Sequence, residues 1–204
     1  MTLSSRFFSI FLVATLCFTS ISQAEEQRYQ KLAKQQNTAS EKVVVTEFFS
    51  YGCPHCNNFQ PFFNEWKKTK PDSVELRQIP AVFSSKWENY ARAFYAAEVM
   101  NVLNTFHQPM FQALHTQKRK LNNLKAIAKF AGSLGIDENQ FLNTMQSFGV
   151  STKINAAKEA YQAYGITGVP SVTINGKYMT NGSLARSYPA MIETINQLIA
   201  KEPR

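Results

Sequence analysis

Cysteine is scarce. The 204 residues hold three, Cys17, Cys53 and Cys56, too few for the web of long-range staples that knits a small secreted disulfide scaffold. Histidine is equally scarce, at His55, His107 and His115. A structural zinc site needs four ligands, and none of these histidines pairs with a second cysteine motif. Outside the N-terminus no apolar run is long enough to cross a bilayer. Acidic side chains number 14 against 22 basic ones, a net charge of +8. The basic residues are scattered, however, and Lys118-Arg119-Lys120 is the only tight cluster. It reads as a solvated helix end or loop rather than a nucleic-acid site. Internal repeats and low-complexity tracts are also absent. What is present is a globular composition, 44% hydrophobic, with 16 Phe and 8 Tyr to fill a core.

The first 24 residues read as a secretory signal peptide. Arg6 supplies the positive n-region, Phe7 to Phe18 is apolar apart from Ser9 and Thr15, and Ser22-Gln23-Ala24 offers small residues at a cleavage point. Leu16 precedes Cys17 where lipoprotein processing wants a small residue, so Cys17 is not read as a lipid anchor. Cleavage after Ala24 leaves two cysteines in the mature chain, bound for an oxidising compartment. Closing a loop as short as Cys53 to Cys56 removes little entropy from the unfolded chain, so the pair is better explained by chemistry than by stapling.

Residues 25–40 are polar and read as a poorly ordered lead-in. Val43 to Phe49 is a near-continuous apolar run, the pattern of a strand buried on both faces. Ser50-Tyr51-Gly52 ends it. Phe59, Phe62, Phe63 and Trp66 then recur at helical spacing, with a kink expected at Pro61. Val74 to Ile79 alternates as a second strand and stops at Pro80. From about residue 87 to 164 the pattern is helical. Ala91 to Leu103 forms one helix and Pro109 opens another. Leu121 to Ala131 ends at Gly132 and Gly135. Asp137 and Gln140 resemble a capping box for a helix to Phe148, and Ser151 caps a long helix ending at Gly165. Asn175-Gly176 between alternating residues is a hairpin signal, and a last helix runs from about Pro189 to Ala200. Asn181-Gly182-Ser183 fits a glycosylation sequon but is read as the hairpin's end. The expected fold is α/β. Residues 41–84 and 165–204 form one unit, and residues 85–164 form an inserted all-helical domain.

A Cys-x-x-Cys that follows a strand and opens a helix places its first cysteine at the helix N-terminus. Unpaired N–H groups and the positive end of the dipole there favour thiolate over thiol. Cys53 is accordingly the expected exposed nucleophile. Cys56, one turn on and pointing inward, resolves the mixed disulfide. Pro54 stiffens the first turn without losing a needed donor. His55 can donate toward the Cys53 sulfur and add positive charge. Glu47 lies within the buried strand. It is either a proton acceptor for Cys56 or an edge position reaching solvent. His107 and His115 read as helix-surface residues. No metal and no cofactor are expected.

Glu47 to Cys56, read as Glu-Phe-Phe-Ser-Tyr-Gly-Cys-Pro-His-Cys, resembles the active-site strand and helix start of the DsbA family of bacterial periplasmic dithiol oxidases. Gly165 to Ser171 resembles that family's cis-proline loop, and Asn175-Gly176-Lys177-Tyr178 the hairpin that follows. The resemblance spans the mature chain. It implies a thioredoxin-like fold, a cis Val169–Pro170 bond beside Cys53, and substrate held by Val169 and Pro170 through strand addition. It also implies reoxidation by a quinone-linked membrane protein of the DsbB type. One departure stands out. The family's buried glutamate often has a lysine on the next strand, and Gln78 stands there instead, with Arg77 beside it.

The resulting expectation is a monomeric periplasmic thiol–disulfide oxidoreductase that donates a Cys53–Cys56 disulfide to newly exported, unfolded polypeptides. A reductase or isomerase acting through the same pair, and a metal-binding chaperone, are the alternatives.

Overall fold

The computed structural model describes residues 27–202. The signal segment expected over residues 1–24, and with it Cys17, lies outside the described residues. Five strands form one sheet among the described residues: β1 (Gln30–Lys31), β2 (Val43–Phe49), β3 (Val74–Pro80), β4 (Ser171–Ile174) and β5 (Tyr178–Asn181). Their spatial order is β1-β5-β4-β2-β3. β2 runs parallel to β3 and antiparallel to β4, so it has neighbours on both sides. This explains the unbroken apolar run, and residues 44–49 are all buried.

The polar lead-in was expected to be poorly ordered. Instead Gln30–Lys31 pairs with Met179 and Tyr178 as an edge strand. Leu32 N–H then donates to Lys177 O at 2.8 Å and Gln36 N–H to Gly176 O at 2.9 Å. Backbone pairing, which polar side chains do not oppose, fixes this segment.

Val45, Glu47 and Phe49 share one face of β2 by strand alternation. Helix α1 (Pro54–Thr69) and the C-terminal α8 (Tyr188–Ala200) cover the Val45 end of that face. There Phe59, Phe63 and Trp66 pack with Met191, Ile195 and Leu198. α1 continues through Pro61. Phe49 instead enters a second core built by α2 (Ser85–Val99), α3 (Leu103–His115), α4 (Leu124–Gly132), α5 (Glu138–Gln146) and α6 (Phe148–Ala163). Cys53 and Cys56 belong to this core too. The helical block is therefore packed directly against the end of β2 that carries the cysteines.

Several helix bounds differ from the expected ones: α2 opens at Ser85 rather than Ala91 and ends before Leu103, which belongs to α3, and α4 opens at Leu124 rather than Leu121. Pro109 lies inside α3, not at its opening. The chain is reset earlier, where Asn101 takes φ +56°, and the helix begins at Leu103. α6 begins at Phe148 because the Ser147 hydroxyl, not that of Ser151, accepts from Val150 N–H at 3.2 Å. Ser151 is one turn inside, its hydroxyl donating to Ser147 O at 3.1 Å. The expected cap at Asp137 is present, with Oδ1 accepting from Gln140 N–H at 2.7 Å. Gly165, at φ +65°, ends α6 as expected. Asn181 caps the short α7 (Gly182–Ala185), accepting from Leu184 N–H at 2.9 Å.

Asn175 and Gly176 both have positive φ, +52° and +64°, and Lys177 N–H closes the turn on Ile174 O at 2.9 Å. Both positive values match a type I′ hairpin. A Cβ on Gly176 would collide with the Gln36 carbonyl oxygen. Gly176→Ala is therefore strained twice, by conformation and by collision with the lead-in. We expect a loss of about 1–3 kcal/mol, read as a lowered urea midpoint. An unchanged midpoint would mean that the lead-in yields freely.

Candidate active site

Ser50, Tyr51 and Gly52 turn the chain out of β2 and into α1. Cys53 N–H donates to Ser50 O at 3.1 Å, and Gly52 N–H to Ser50 Oγ at 3.2 Å. A side chain at Gly52 would force its neighbours to shift, since a Cβ would sit 2.7 Å from Trp87 Nε1 and 2.9 Å from Tyr90 Cε2. Cys53 is thereby delivered as the N-cap of α1, with Pro54 following in the first turn. Its sulfur accepts from Cys56 N–H at 3.4 Å and its thiol donates to Val169 O at 3.3 Å. Both cysteines are free thiols.

The environment separates the two thiols. Hydrogen bonding from the Cys56 thiol, and then from the Cys56 and His55 backbone N–H groups, pulls Cys53 down to about 6, against a smaller opposing effect of burial. His55 also lowers it through charge. Its ring is exposed, so His55 acts mainly through its backbone and charge rather than through the expected ring-to-sulfur bond. Cys56, fully buried, is pushed well above the ordinary thiol value, first by burial and then by its neighbour Cys53. Cys53 is not the exposed nucleophile expected. Only 5% of it is accessible, because the Val169–Pro170 loop folds over it.

That loop carries a cis Val169–Pro170 bond. Val169 and Pro170 line a groove of about 660 Å³ together with His55, Asn181, Arg186 and Tyr188. The Tyr188 hydroxyl donates to His55 O at 3.1 Å and ties α8 to the redox turn. Pro54, His55, Cys53, Cys56, Val169 and Pro170 thus come together as one site.

Glu47 lies behind it. It is wholly buried in the central strand, which excludes the solvent-reaching edge position. In register it faces Gln78 on β3 and Val172 on β4. Gln78 Nε2 donates to it at 2.6 Å and Gln60 Nε2 at 3.2 Å. Burial raises Glu47 to about 7, while Gln78, Lys67 and Gln60 hold it from rising further. Arg77 takes no part. It pairs with Glu75 from a position opposite Thr46, on the other face. The nearby positive charge comes instead from Lys67, on α1.

Of the two remaining histidines, His107 is buried rather than at the helix surface, and His115 is only partly exposed. His107 is 9% exposed, with Nδ1 2.8 Å from the Tyr51 hydroxyl, and burial depresses it to about 3. His115 Nε2 lies 2.7 Å from Tyr51 O. Their spacing with Phe111, four residues from each, was the available signal: it puts all three on one face of α3. Among the described residues, no group of three or more His, Cys, Asp or Glu is placed to hold a metal ion.

The family model of the DSBA-like thioredoxin domain matches residues 44–187, from β2 through the cis-proline loop to the start of α8. The chain belongs to the DsbA-like thioredoxin family. It is 34% identical over 197 residues to the thiol:disulfide interchange protein DsbA of Pseudomonas syringae pv. tomato, covering 94% of this chain and 92% of that one. The crystal structure of Pseudomonas aeruginosa DsbA superposes with a TM-score of 0.82 at 32% identity, over 86% of this chain and 92% of that one. The DsbA oxidoreductase of Xylella fastidiosa gives 0.79 at 26%, over 85% and 94%. The fold is thioredoxin-like, and the enzyme class is thiol:disulfide oxidoreductase. Within this DsbA-like frame the sheet, α1 and the cis-proline loop are the parts that build the redox site.

Proposed function

We propose that the mature chain is a periplasmic, monomeric dithiol oxidase. It passes a Cys53–Cys56 disulfide to newly exported, unfolded polypeptides and is reoxidised by a quinone-linked membrane partner of the DsbB type. The observation that carries this reading is the unequal pair of thiols. Cys53 sits at the amides of α1 and is acidic. Cys56 is buried and is not.

In the oxidised enzyme a substrate thiolate attacks Cys53 Sγ and the Cys53–Cys56 bond breaks toward Cys56. Cys56 leaves as a thiolate in a buried setting that disfavours charge, and it takes up a proton. Glu47, held near neutrality by opposing effects, is suited to supply that proton and to recover one from solvent. A second substrate thiolate then attacks the substrate sulfur of the mixed disulfide. Cys53 departs as a stabilised thiolate, the better leaving group. Val169 and Pro170 offer backbone to an extended peptide lying in the groove. The basic surface plays no part in this reading, which involves no nucleic acid.

The test is the ultraviolet thiolate absorbance of the reduced mature protein against pH, paired with its glutathione redox equilibrium. Cys53 should titrate near pH 6, with Cys56 silent until far higher. A thiol already ionised at pH 7 stabilises the dithiol about tenfold over an ordinary one, about 30 mV toward a more oxidising couple. The sign follows from the lowered value. The bias is present above pH 6 and disappears as pH falls through it. An ordinary thiol midpoint with a reducing potential would make the protein a reductase instead.

A further inference from the structure

His107, Phe111 and His115 stand at i, i+4 and i+8 on α3 and meet one residue, Tyr51. The Tyr51 hydroxyl is 2.8 Å from His107 Nδ1, its ring lies edge-on to Phe111 at 5.0 Å between centroids, and its carbonyl is 2.7 Å from His115 Nε2. Side chain and backbone are thus both gripped from a single helix face. A carbonyl only accepts, so His115 Nε2 carries the proton in that bond. Tyr51 is fully buried, and a phenol is the stronger acid, so its hydroxyl donates to His107 Nδ1. His107 Nε2 has no partner among the described residues. A buried polar atom left in this way costs stability, which is an odd choice for a ring whose only task is to fill space.

We infer that this face of α3 is a clamp that sets the Ser50-Tyr51-Gly52 turn, with His107 and His115 as positioning residues for the redox thiol. Cys53 follows Tyr51 by two residues, and its own N–H bonds to Ser50 O. The aim of its sulfur at the α1 amides is therefore inherited from this turn. Across the turn, Trp87 and Tyr90 of α2 crowd Gly52, so the turn is pinned between two helices of the block. The block thereby does more than cover the thiols. It holds the geometry on which their inequality depends. The inference rests on the proposed role of Cys53 and deepens it, because it names what keeps Cys53 acidic from outside the sheet.

The experiment compares wild type with His115→Leu, His115→Gln and Tyr51→Phe, each as the mature protein. It reads the Cys53 thiolate midpoint, the glutathione equilibrium, and the urea midpoint of the oxidised form. His115→Leu leaves the Tyr51 carbonyl without its donor. The thiolate midpoint should then rise by about half a pH unit or more, a roughly twofold loss of thiolate at pH 6 that approaches threefold well below it, with the redox equilibrium moving the same way. His115→Gln places an amide N–H at similar reach and should return the midpoint toward wild type. Tyr51→Phe loses only the bond to His107, keeps the ring, and should move the midpoint in the same direction by less. It also covers the case in which His115→Leu fails to fold. The inference is overturned if the folded variants lose stability with an unmoved thiolate midpoint, or if His115→Gln behaves like His115→Leu. A wild-type midpoint near that of an ordinary thiol would instead overturn the proposed function itself. The two failures are therefore separable.

Discussion

Cys53→Ser should reduce the oxidation of a reduced, unfolded test protein to the uncatalysed rate, while Cys56→Ser should stop it at a different point. The reason lies in what each sulfur can still do. Without Cys53 there is no disulfide to transfer and no thiol at the α1 amides. The buried Cys56 that remains is held in its neutral form by its surroundings and has no path to a client. Without Cys56, Cys53 keeps its position and most of its backbone donors. Its thiolate still attacks a disulfide in a partner polypeptide, but no neighbouring thiol releases the product. The mixed disulfide should therefore accumulate and be visible by mass and on a non-reducing gel. Loss of the Cys56 thiol also removes the largest single stabiliser of the Cys53 thiolate. A serine hydroxyl can donate in its place, so the effect is read in Cys56→Ala, where the Cys53 midpoint should rise above 6 even with the helix amides intact. Persistent turnover in Cys53→Ser would remove the pair from the chemistry altogether.

The redox motif and the strand before it were legible because both are local signals. A strand with neighbours on both sides must be apolar on both faces, and residues 43–49 are so apart from Thr46 and Glu47. The Asn175-Gly176 turn was equally plain, since few residue pairs accept positive φ twice. The helix boundaries in the block were less so. Ser147 and Ser151 are both competent caps one turn apart, and the choice is made by where α5 ends, which is a tertiary matter. Pro109 looked like an opening because proline is tolerated there. The true start, at a chain reversal through Asn101, carries no capping side chain.

The site divided in the same way. Spacing alone put Cys53 at a helix end and Cys56 a turn inside. Nothing local could show that a carbonyl more than a hundred residues away would close over Cys53 and leave it 5% exposed. Nor could it show that two histidines eight residues apart would both reach Tyr51. The departure at Gln78 was visible, but its remedy was not. The lysine expected on β3 is absent, and the positive charge felt by Glu47 comes from Lys67 on α1, two helical turns beyond Gln60. Such substitution between elements keeps the physics and changes the residue, so a strand-by-strand comparison misses it.

Glu47→Gln should make the oxidised protein more stable at pH 8 by about 3 kcal/mol, and slower. Glu47 ionises near 7 in the fold against an ordinary 4.5. Its folded value is raised, so the native state is favoured while the group is protonated. That advantage is complete below about 4.5 and is lost as pH rises through 7. At pH 8 the wild type carries the whole cost of a buried carboxylate. The amide carries none, still accepts from Gln78, and can donate to Gln60 Oε1, a buried atom with no partner among the described residues. Some of the gain is offset because Lys67, itself depressed by burial, loses an attractive neighbour. His107 supplies an internal control. Its value is lowered to about 3 from 6.5, so its contribution is present above 6.5 and is lost as pH falls toward 3. In the wild type the two effects oppose each other between about 4.5 and 6.5, and the stability profile there should be shallow. In Glu47→Gln the opposing slope is gone, and stability should fall from about pH 6.5 downward. Urea unfolding of the disulfide form across this range, where neither cysteine titrates, reads both effects. Turnover assigns the role. If Glu47 exchanges the Cys56 proton, the more stable variant oxidises clients more slowly. A stabilised variant with unchanged turnover would leave Glu47 as a buried acid outside the proton route.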